Sequence, residues 1–296
     1  MSKYQKHERA RMIELIENSE LFDGCKGGFV ISRKGKDYPQ ESILLDGNKN
    51  LFPPILNQVI EYFQKNKISF WKGQPKNKPA RLVLASQIAC LNHLFPVRDD
   101  KDAVLKTAQI ICEDIVDVLA IEQPNKYIAF EVVSDKDHLN ECREGKKPTR
   151  GAFRTSIDAL IYAKHRNGKN YLLPIEWKYT ESYGNADKSL EDRKSEPKGA
   201  NGAGQERLRR YSGLISGSGQ LKSYDSYRSS IYFFEPFYQL MRQTLWAEQM
   251  IANKETETIK ADDFIHVHII PQENGRFIGE SLPQRQKHEN DLARKI

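Results

Sequence analysis

The sequence has little of what marks a membrane or secreted protein. It contains no run of about eighteen apolar residues, the length that a membrane-spanning helix requires. The opening stretch MSKYQKHERARMIELIENSE is charged throughout and lacks the apolar core of a secretory signal. We therefore expect a cytoplasmic protein that has no membrane partner.

Cysteine is also scarce. The four cysteines stand far apart and form no Cys-x-x-Cys pair, so their spacing gives no indication of a zinc site. Cys90 and Cys112 lie on stretches of helical apolar periodicity, where a cysteine is usually a small buried hydrophobe. We expect free thiols at all four positions.

The overall composition is that of a folded chain. Hydrophobic residues make up 39% of the 296 residues and aromatic residues 10%, which excludes overall disorder. A chain of this length fits one large or two modest domains. The net charge of +6 is mildly basic, so it permits a polyanionic partner without requiring one.

Periodicity predicts the secondary structure. Apolar residues at helical spacing predict helices over residues 53–64, 81–95, 102–120 and 237–250. Segments rich in β-branched and aromatic residues predict strands over residues 126–134, 155–163, 170–180 and 263–270. The turn KHRNGKN separates the second and third strands, so we expect those two to form a hairpin.

This order of elements predicts an α/β fold. Its core contains a helix, three strands, a helix and a strand, with a mixed central sheet flanked by helices. The predicted core spans residues 81–271, after a helical and loop-rich extension over residues 1–80 and before a polar tail over residues 272–296. Residues 184–210 hold twelve charged residues and only two leucines, so we expect a mobile loop there.

Three charged residues on the hairpin are candidates for a site. Side chains alternate along a strand, so Glu176 and Lys178 share a face, and the hairpin can place Asp158 beside Glu176. Adjacent carboxylates repel each other unless a cation or a proton intervenes, and such oxygen ligands suit Mg²⁺ or Mn²⁺. The lysine could orient or deprotonate the attacking water, or neutralise charge at a scissile phosphate. Alternatively, the three residues form a solvated strand face with a cross-strand ion pair.

These residues resemble the PD-(D/E)XK superfamily of restriction endonuclease-like nucleases. SIDALI and IEWKYTESY are similar to its two catalytic motifs, with Asp158, Glu176 and Lys178 at the matching positions. More narrowly, the segments ASQIACLNHLFP, TSIDALI, IEWKYTES, RLRRYSGL and FYQLMRQTLWAEQM resemble, in that order, a bacterial group of restriction endonucleases. The resemblance covers about residues 80–271 and implies Mg²⁺-dependent hydrolysis of DNA, with Asp158 and Glu176 as metal ligands.

One position departs from that pattern. Many nucleases of this superfamily carry an acidic residue on the first core helix, whereas residues 81–95 contain no Asp or Glu. Either Glu131, on the strand AFEVV, completes the metal site and takes part in catalysis, or Gln87 occupies that region.

Other polar residues are candidates for supporting and binding roles. Gln239 and Gln243 lie on the helix over residues 237–250, from which superfamily members often direct polar side chains at the active centre. The segment ERLRRYSGL suits phosphate contacts and base stacking through Arg207, Arg209, Arg210 and Tyr211, or else it is a solvated helix start. His266 and His268 point the same way on the last strand, where histidines satisfied by neighbours are commoner than metal ligands.

The resemblance favours a DNA endonuclease of the restriction type. A restriction role implies a cognate methyltransferase, and cutting of both strands is often the work of a homodimer. The alternative is a catalytically silent module that keeps the fold and binds nucleic acid or another protein, because a fold does not guarantee an activity.

Overall fold

Six α-helices and eight β-strands form in the part of the chain that the structure describes. This computed structural model describes residues 2–33, 36–71, 77–142, 154–181, 183–184, 186–191 and 202–274. The helices are α1 (Lys3–Asn18), α2 (Leu56–Lys65), α3 (Ser86–Leu94), α4 (Lys101–Ile111), α5 (Ala203–Gly217) and α6 (Phe237–Ala252). The strands are β1 (Gly27–Arg33), β2 (Lys36–Leu44), β3 (Ile115–Leu119), β4 (Ile128–Val132), β5 (Ile157–His165), β6 (Asn170–Trp177), β7 (Asp263–Phe264) and β8 (Val267–Ile269).

The larger sheet is mixed and has a continuous centre. Strands β5 and β6 form the expected antiparallel hairpin, with Ala159 opposite Ile175 and Ala163 opposite Tyr171. On one side of the hairpin, β3 and β4 both pair antiparallel with β5, one along each half of its length. On the other side, β7 and β8 both pair parallel with β6, one after the other along its length. The α/β class and the mixed sheet predicted from the sequence are confirmed, and this arrangement fits a restriction endonuclease-like core.

The predicted last strand is divided at a proline of its neighbour. The register pairs Leu172 with Phe264 and Ile175 with Val267, so Pro174 of β6 stands level with His266 between β7 and β8. Proline has no N–H to donate to a ladder, which explains the break at this point.

Helices cover both faces of this sheet. One hydrophobic core joins the sheet to α2, α3 and α4, through side chains that include Phe63, Ile88 and Val104. A second core joins the opposite face to α5 and α6, through Tyr211, Ile215, Met241, Leu245 and Trp246. Fully burying one such large apolar side chain contributes about 1.5 to 3 kcal/mol. The hairpin is therefore buried on two faces, including the one that carries Glu176.

Two segments differ from the sequence prediction. Ile115–Leu119 is a strand and not the end of a helix, because a bulge between Ile115 and Asp117 turns Ile115 and Val118 towards the core at a helix-like spacing of three. Residues 203–210, assigned to the mobile loop by composition, form the first half of α5. Leu208 of this half packs against the second core, and Tyr211, the next residue of α5 after this half, is part of that core.

Parts of the predicted loop and tail lie outside the described residues, namely 185, 192–201 and 275–296. In the N-terminal part of the chain, α1 and the β1–β2 hairpin form a smaller unit with its own hydrophobic core around Ile16, Phe22 and Leu44. None of the helices within the described ranges combines the length and the apolar character needed to cross a membrane.

Candidate active site

The two central carboxylates face each other across the hairpin. The β5–β6 register ends with Ala159 opposite Ile175, and Asp158 and Glu176 are the next residues of the two strands, where they interact electrostatically. The backbone N–H of Trp177 donates to Asp158 Oδ2 at 2.8 Å, which holds the aspartate against the neighbouring strand. Strand alternation and the hairpin together bring these two side chains to one place.

Lys178 is held by Glu176 and by α6. Its ammonium donates to Glu176 Oε1 and, at 2.7 Å, to Gln239 Oε1. The residue is only 4% exposed. Burial alone would lower the pKa of Lys178, but the negative charge of Glu176, with Tyr183 and Asp158 beyond it, raises that pKa above its usual range. Lys178 is therefore a cation at neutral pH, and its role in the site is that of a positive charge and a hydrogen-bond donor.

Two glutamines of α6 hold the Glu–Lys pair. Gln243 donates through Nε2 to Glu176 Oε2, while its Oε1 accepts from His266 Nε2 at 2.8 Å. Gln239 Oε1 accepts from Lys178 and also from the Tyr183 hydroxyl at 3.2 Å. One helical turn separates the two glutamines, so one face of α6 contacts both members of the pair.

Both strand histidines lie near Glu176 in their neutral forms. Burial lowers the pKa of His266, and it lowers that of His268 to about 4. His266 is bonded to Gln243, as expected for a histidine that a neighbour satisfies. His268 is the partner of Glu176 in the β6–β8 ladder.

Glu131 lies on β4, on the other side of Asp158. Its backbone has a φ of 50°, the left-handed region that a non-glycine residue adopts at a cost of about 1 to 3 kcal/mol. Gln87 Nε2 donates to Glu131 Oε1 at 2.5 Å, and the Ser156 hydroxyl donates to Oε2 at 2.7 Å. Gln87 in turn accepts the backbone N–H of Trp71 at 2.9 Å. The first core helix thus contributes a glutamine that contacts Glu131.

The site carries an excess of negative charge. Burial raises the pKa of Asp158 well above its ordinary value, and the charges of Glu176 and Glu131 raise it further. Burial also raises the pKa of Glu131, with a further contribution from Glu176. Three carboxylates therefore interact electrostatically around one ammonium group. A divalent cation would relieve that repulsion, so the donor set fits Mg²⁺ in its charge and in its oxygen chemistry.

The geometry limits how many side chains could bind such an ion directly. Within the residues that the structure describes, no three His, Cys, Asp or Glu side chains are grouped closely enough to hold a metal together. Both oxygens of Glu131 already accept hydrogen bonds. Magnesium commonly binds to one or two carboxylates and keeps several waters, so Asp158 and Glu176 are a sufficient pair.

The arginine segment does not form the surface expected of it. Tyr211 is 1% exposed and its hydroxyl donates to the buried Glu141 at 2.6 Å, so this ring is a core residue and not a platform for a base. Arg209 and Arg210 both contact Glu206 of the same helix. Arg207 contacts Glu191 at 2.5 Å, with its guanidinium 5.8 Å from the Tyr238 ring centroid. Arg209, with an exposed side chain, is the one of these four most available to a phosphate.

A buried ion pair that the sequence did not indicate supports the helices behind the site. Glu141 accepts from Arg242 Nε at 2.9 Å, from Tyr211 and from the Thr155 hydroxyl at 2.8 Å. Burial alone would raise the pKa of Glu141, but Arg242 and these donors lower it below its ordinary value. Arg242 lies between Gln239 and Gln243 in the sequence, so the same helix that contacts Glu176 and Lys178 is tied to the segment before β5.

Ser156 and Tyr183 were also not assigned to the site from the sequence. Ser156 shares a strand face with Asp158, a signal that alternation contains. Tyr183 follows Lys178 by five residues in an irregular segment, and no local pattern indicates its contact with Gln239.

A comparison with family models found one match. The model described as "restriction endonuclease associating with ARP" matches residues 18–296. Comparisons with curated proteins and with solved structures found no match. The matched range includes every residue of the site from Gln87 to His268 and leaves out nearly all of α1. It bears out the resemblance to restriction endonuclease-like proteins, and the chain belongs to the family of restriction endonucleases associating with ARP.

Proposed function

We propose that this chain is a metal-dependent endonuclease that hydrolyses phosphodiester bonds in DNA. Membership of a restriction endonuclease family supports a nuclease function. The observation that carries the proposal is the closeness of Asp158 and Glu176 just beyond the last paired residues of β5 and β6, with Lys178 bonded to Glu176. Charged groups gathered in a buried position, where they perturb one another's pKa, are characteristic of sites that do chemistry.

Asp158 and Glu176 are the residues that would hold Mg²⁺, or Mn²⁺ in its place. The ion would supply positive charge at the scissile phosphate and make the attacking water more acidic. Glu131 adds negative charge behind this pair and keeps its own oxygens on Gln87 and Ser156. We therefore assign Glu131 to the support of the metal site.

Lys178 stabilises the negative charge that develops on the phosphate. Its ammonium is held by Glu176 and Gln239, so it is oriented before the substrate arrives. Preorganised donors of this kind lower the barrier because they need no rearrangement during the reaction. Gln243 donates a hydrogen bond to the second oxygen of Glu176, so the carboxylate is held in one orientation.

DNA is the proposed substrate because the family is one of restriction endonucleases and because the chain has a net charge of +6. A restriction role implies a methyltransferase that protects the host sites. Cleavage of both strands of a palindromic site requires two active centres, which a homodimer supplies.

The direct test is cleavage of supercoiled plasmid DNA with Mg²⁺ or Mn²⁺. We expect nicked and linear products from the wild-type protein and none from Glu176→Gln. Cleavage that persists at the wild-type rate in Glu176→Gln would overturn the assignment of the site.

A second candidate is a silent module that binds DNA without cutting it. It is favoured by the contacts of Glu176, whose two oxygens accept from Lys178 and Gln243, because an ion must displace or share these donors. Calorimetric titration with Mg²⁺ distinguishes the two functions. The nuclease shows a binding site that Glu176→Gln removes, whereas the silent module shows no such site.

A further inference from the structure

A cavity lies beside the site, between α1 and the ends of β6 and β8. It has a volume of about 940 Å³ and is lined by residues of α1, by the segment before α2, by α3 and by the chain from Trp177 to Tyr179. Lys178 is among its lining residues, so the cavity adjoins the segment that carries the lysine of the site. A volume of this size accommodates a ligand such as a nucleotide.

Apolar side chains stand exposed at this cavity. Phe52 is 48% exposed and Leu21 is 62% exposed, although both are large hydrophobic residues. The rings of His93 and Trp177 form another part of the wall, with their centroids 5.1 Å apart. Aromatic faces in such a place are suited to stacking with a base, because every base has a π-face.

The helix α1 that forms one wall is basic. Its exposed residues His7 and Arg11 line the cavity together with the buried Glu8, and Lys3 and Lys6 are exposed next to the lining residues Tyr4 and His7. Glu8 accepts a hydrogen bond from the Tyr179 hydroxyl at 2.8 Å and lies 3.5 Å from Arg11, whose positive charge offsets that of Glu8. Positive charge therefore faces the solvent beside the cavity, where it complements a phosphate backbone.

This basic helix is attached directly to the segment that follows the catalytic lysine. Gln5 donates to the Thr180 carbonyl, and Tyr179 donates to Glu8. Almost all of α1 lies before residues 18–296, which match the family. The position of this helix relative to Lys178 is set by contacts with Tyr179 and Thr180.

We propose that this cavity binds an unpaired nucleotide of the DNA substrate, with Phe52 stacking on the base and the lysines of α1 contacting the flanking phosphates. The proposal rests on the proposed function and names its substrate class, DNA with an unpaired nucleotide near the cut. A base inside a duplex is stacked and paired, and moving it into a cavity costs a few kcal/mol that an unpaired base does not require.

The stacking part is tested by fluorescence anisotropy with two DNA probes, a blunt duplex and the same duplex with a three-nucleotide overhang, in Ca²⁺ to prevent cleavage. We expect the wild-type protein to prefer the overhang by about fivefold or more, and Phe52→Ala to abolish that preference. Phe52→Tyr keeps the ring and should keep the preference. Ile110→Ala removes an exposed apolar side chain on α4, away from the cavity, and serves as the matched control.

The phosphate part is tested by the salt dependence of overhang binding. We expect Lys3→Glu with Lys6→Glu to reduce the slope of log affinity against log salt by about 0.7 to 0.9 for each phosphate that is no longer neutralised. The matched control is Lys65→Glu with Lys106→Glu, which reverses two exposed charges on α2 and α4. This control should keep the slope within about 0.4 of the wild-type value, which is half the effect of one phosphate.

The outcomes separate this inference from the proposed function. Equal binding of the two probes, or an overhang preference that survives Phe52→Ala, would overturn the nucleotide site while leaving a DNA nuclease intact. An unchanged slope in the α1 variant would overturn the role of the lysines. If the wild-type protein binds neither probe and cleaves no plasmid, then the proposed function itself is wrong.

Discussion

The N–H of Trp177 and the carboxylate of Asp158 are joined by a hydrogen bond of 2.8 Å between neighbouring strands. The residue between Glu176 and Lys178 therefore orients the aspartate through its backbone, while its own indole packs in the opposite core. The position of Asp158 and the pairing of the strands therefore depend on the same short segment.

Asp158→Asn should keep this hydrogen bond and lose the charge. An amide oxygen can still accept from Trp177, so we expect an unchanged far-ultraviolet circular dichroism spectrum. Cleavage of plasmid DNA in Mg²⁺ should fall by about 10³-fold or more, since a bound ion supplies several kcal/mol of stabilisation in the transition state. Asp225→Asn changes an exposed aspartate and should cleave normally. Wild-type cleavage by Asp158→Asn would contradict the assignment.

Lys178→Met should separate metal binding from catalysis. The ammonium bonded to Glu176 repels a divalent cation, so its removal should tighten Mg²⁺ binding in calorimetry. Cleavage should nevertheless fall by about 100-fold or more, because the donor to the phosphate is gone. Lys222→Met, at an exposed position, should change neither quantity. Weaker Mg²⁺ binding in Lys178→Met would argue that the lysine organises the metal site.

Gln243→Leu, a substitution on α6, should lower the affinity of the proposed site for Mg²⁺. It removes the donor to Glu176 Oε2 and the acceptor of His266. Loss of a partner that orients a metal ligand typically costs about 10- to 100-fold in affinity or activity. The Mg²⁺ concentration for half-maximal cleavage should rise accordingly. Gln249→Leu, on the same helix, should leave it unchanged. Equal effects of the two substitutions would show that helix stability, and not the contact with Glu176, is responsible.

Glu131→Gln tests whether this carboxylate supports the ion or binds it. An amide can retain hydrogen bonds with Gln87 and Ser156 but has no negative charge. We expect Mg²⁺ affinity to fall by about 10- to 100-fold, whereas Glu176→Gln should remove binding. Calorimetry of the two variants gives the ranking. A complete loss in Glu131→Gln would instead identify Glu131 as a direct ligand.

Glu141→Gln should lower stability and change its dependence on pH. The substitution leaves Arg242 without its carboxylate, at a cost of about 3 kcal/mol. The pKa of Glu141 is lower in the folded chain than in the unfolded one, so its stabilisation is complete at neutral pH. This stabilisation is lost as pH falls below the ordinary glutamate value towards the folded pKa.

Thermal unfolding between pH 7 and pH 3 measures this effect. The difference in melting temperature between the wild type and Glu141→Gln should be several degrees at pH 7 and should shrink in acid. Glu206→Gln breaks pairs with the exposed Arg209 and the partly buried Arg210 on the same helix and should cost less than about 1 kcal/mol at pH 7. A pH-independent difference for Glu141→Gln would mean that lost packing, and not lost charge, destabilises the protein.

The centre of the site could be predicted because it depends on local rules. Strand alternation sets Glu176 and Lys178 on one face, and a short turn brings β6 back along β5. These two rules allow Asp158 to lie beside Glu176, and the register that ends with Ala159 opposite Ile175 brings the two residues together. Helical spacing in residues 237–250 likewise indicated the face of α6 that carries Gln239 and Gln243.

The remaining features depend on conformations and contacts that no local pattern encodes. Alternation grouped Glu131 with Ala129 and Val133, but its left-handed backbone is a local exception. The bulge at Ile115 imitates the spacing of a helix. Tyr211 follows a run of arginines, and only its contact with Glu141, seventy residues away, explains its burial.

The larger sheet is continuous at its centre and interrupted on both sides, at Pro174 on one and at the loop between β3 and β4 on the other. Local unfolding begins where few hydrogen bonds must break. The short pieces β3, β7 and β8 should therefore exchange their amide hydrogens before β5 and β6 do. Asp158 and Glu176 belong to the unit that opens last, so the arrangement of these two carboxylates should outlast the fraying of the strands around it.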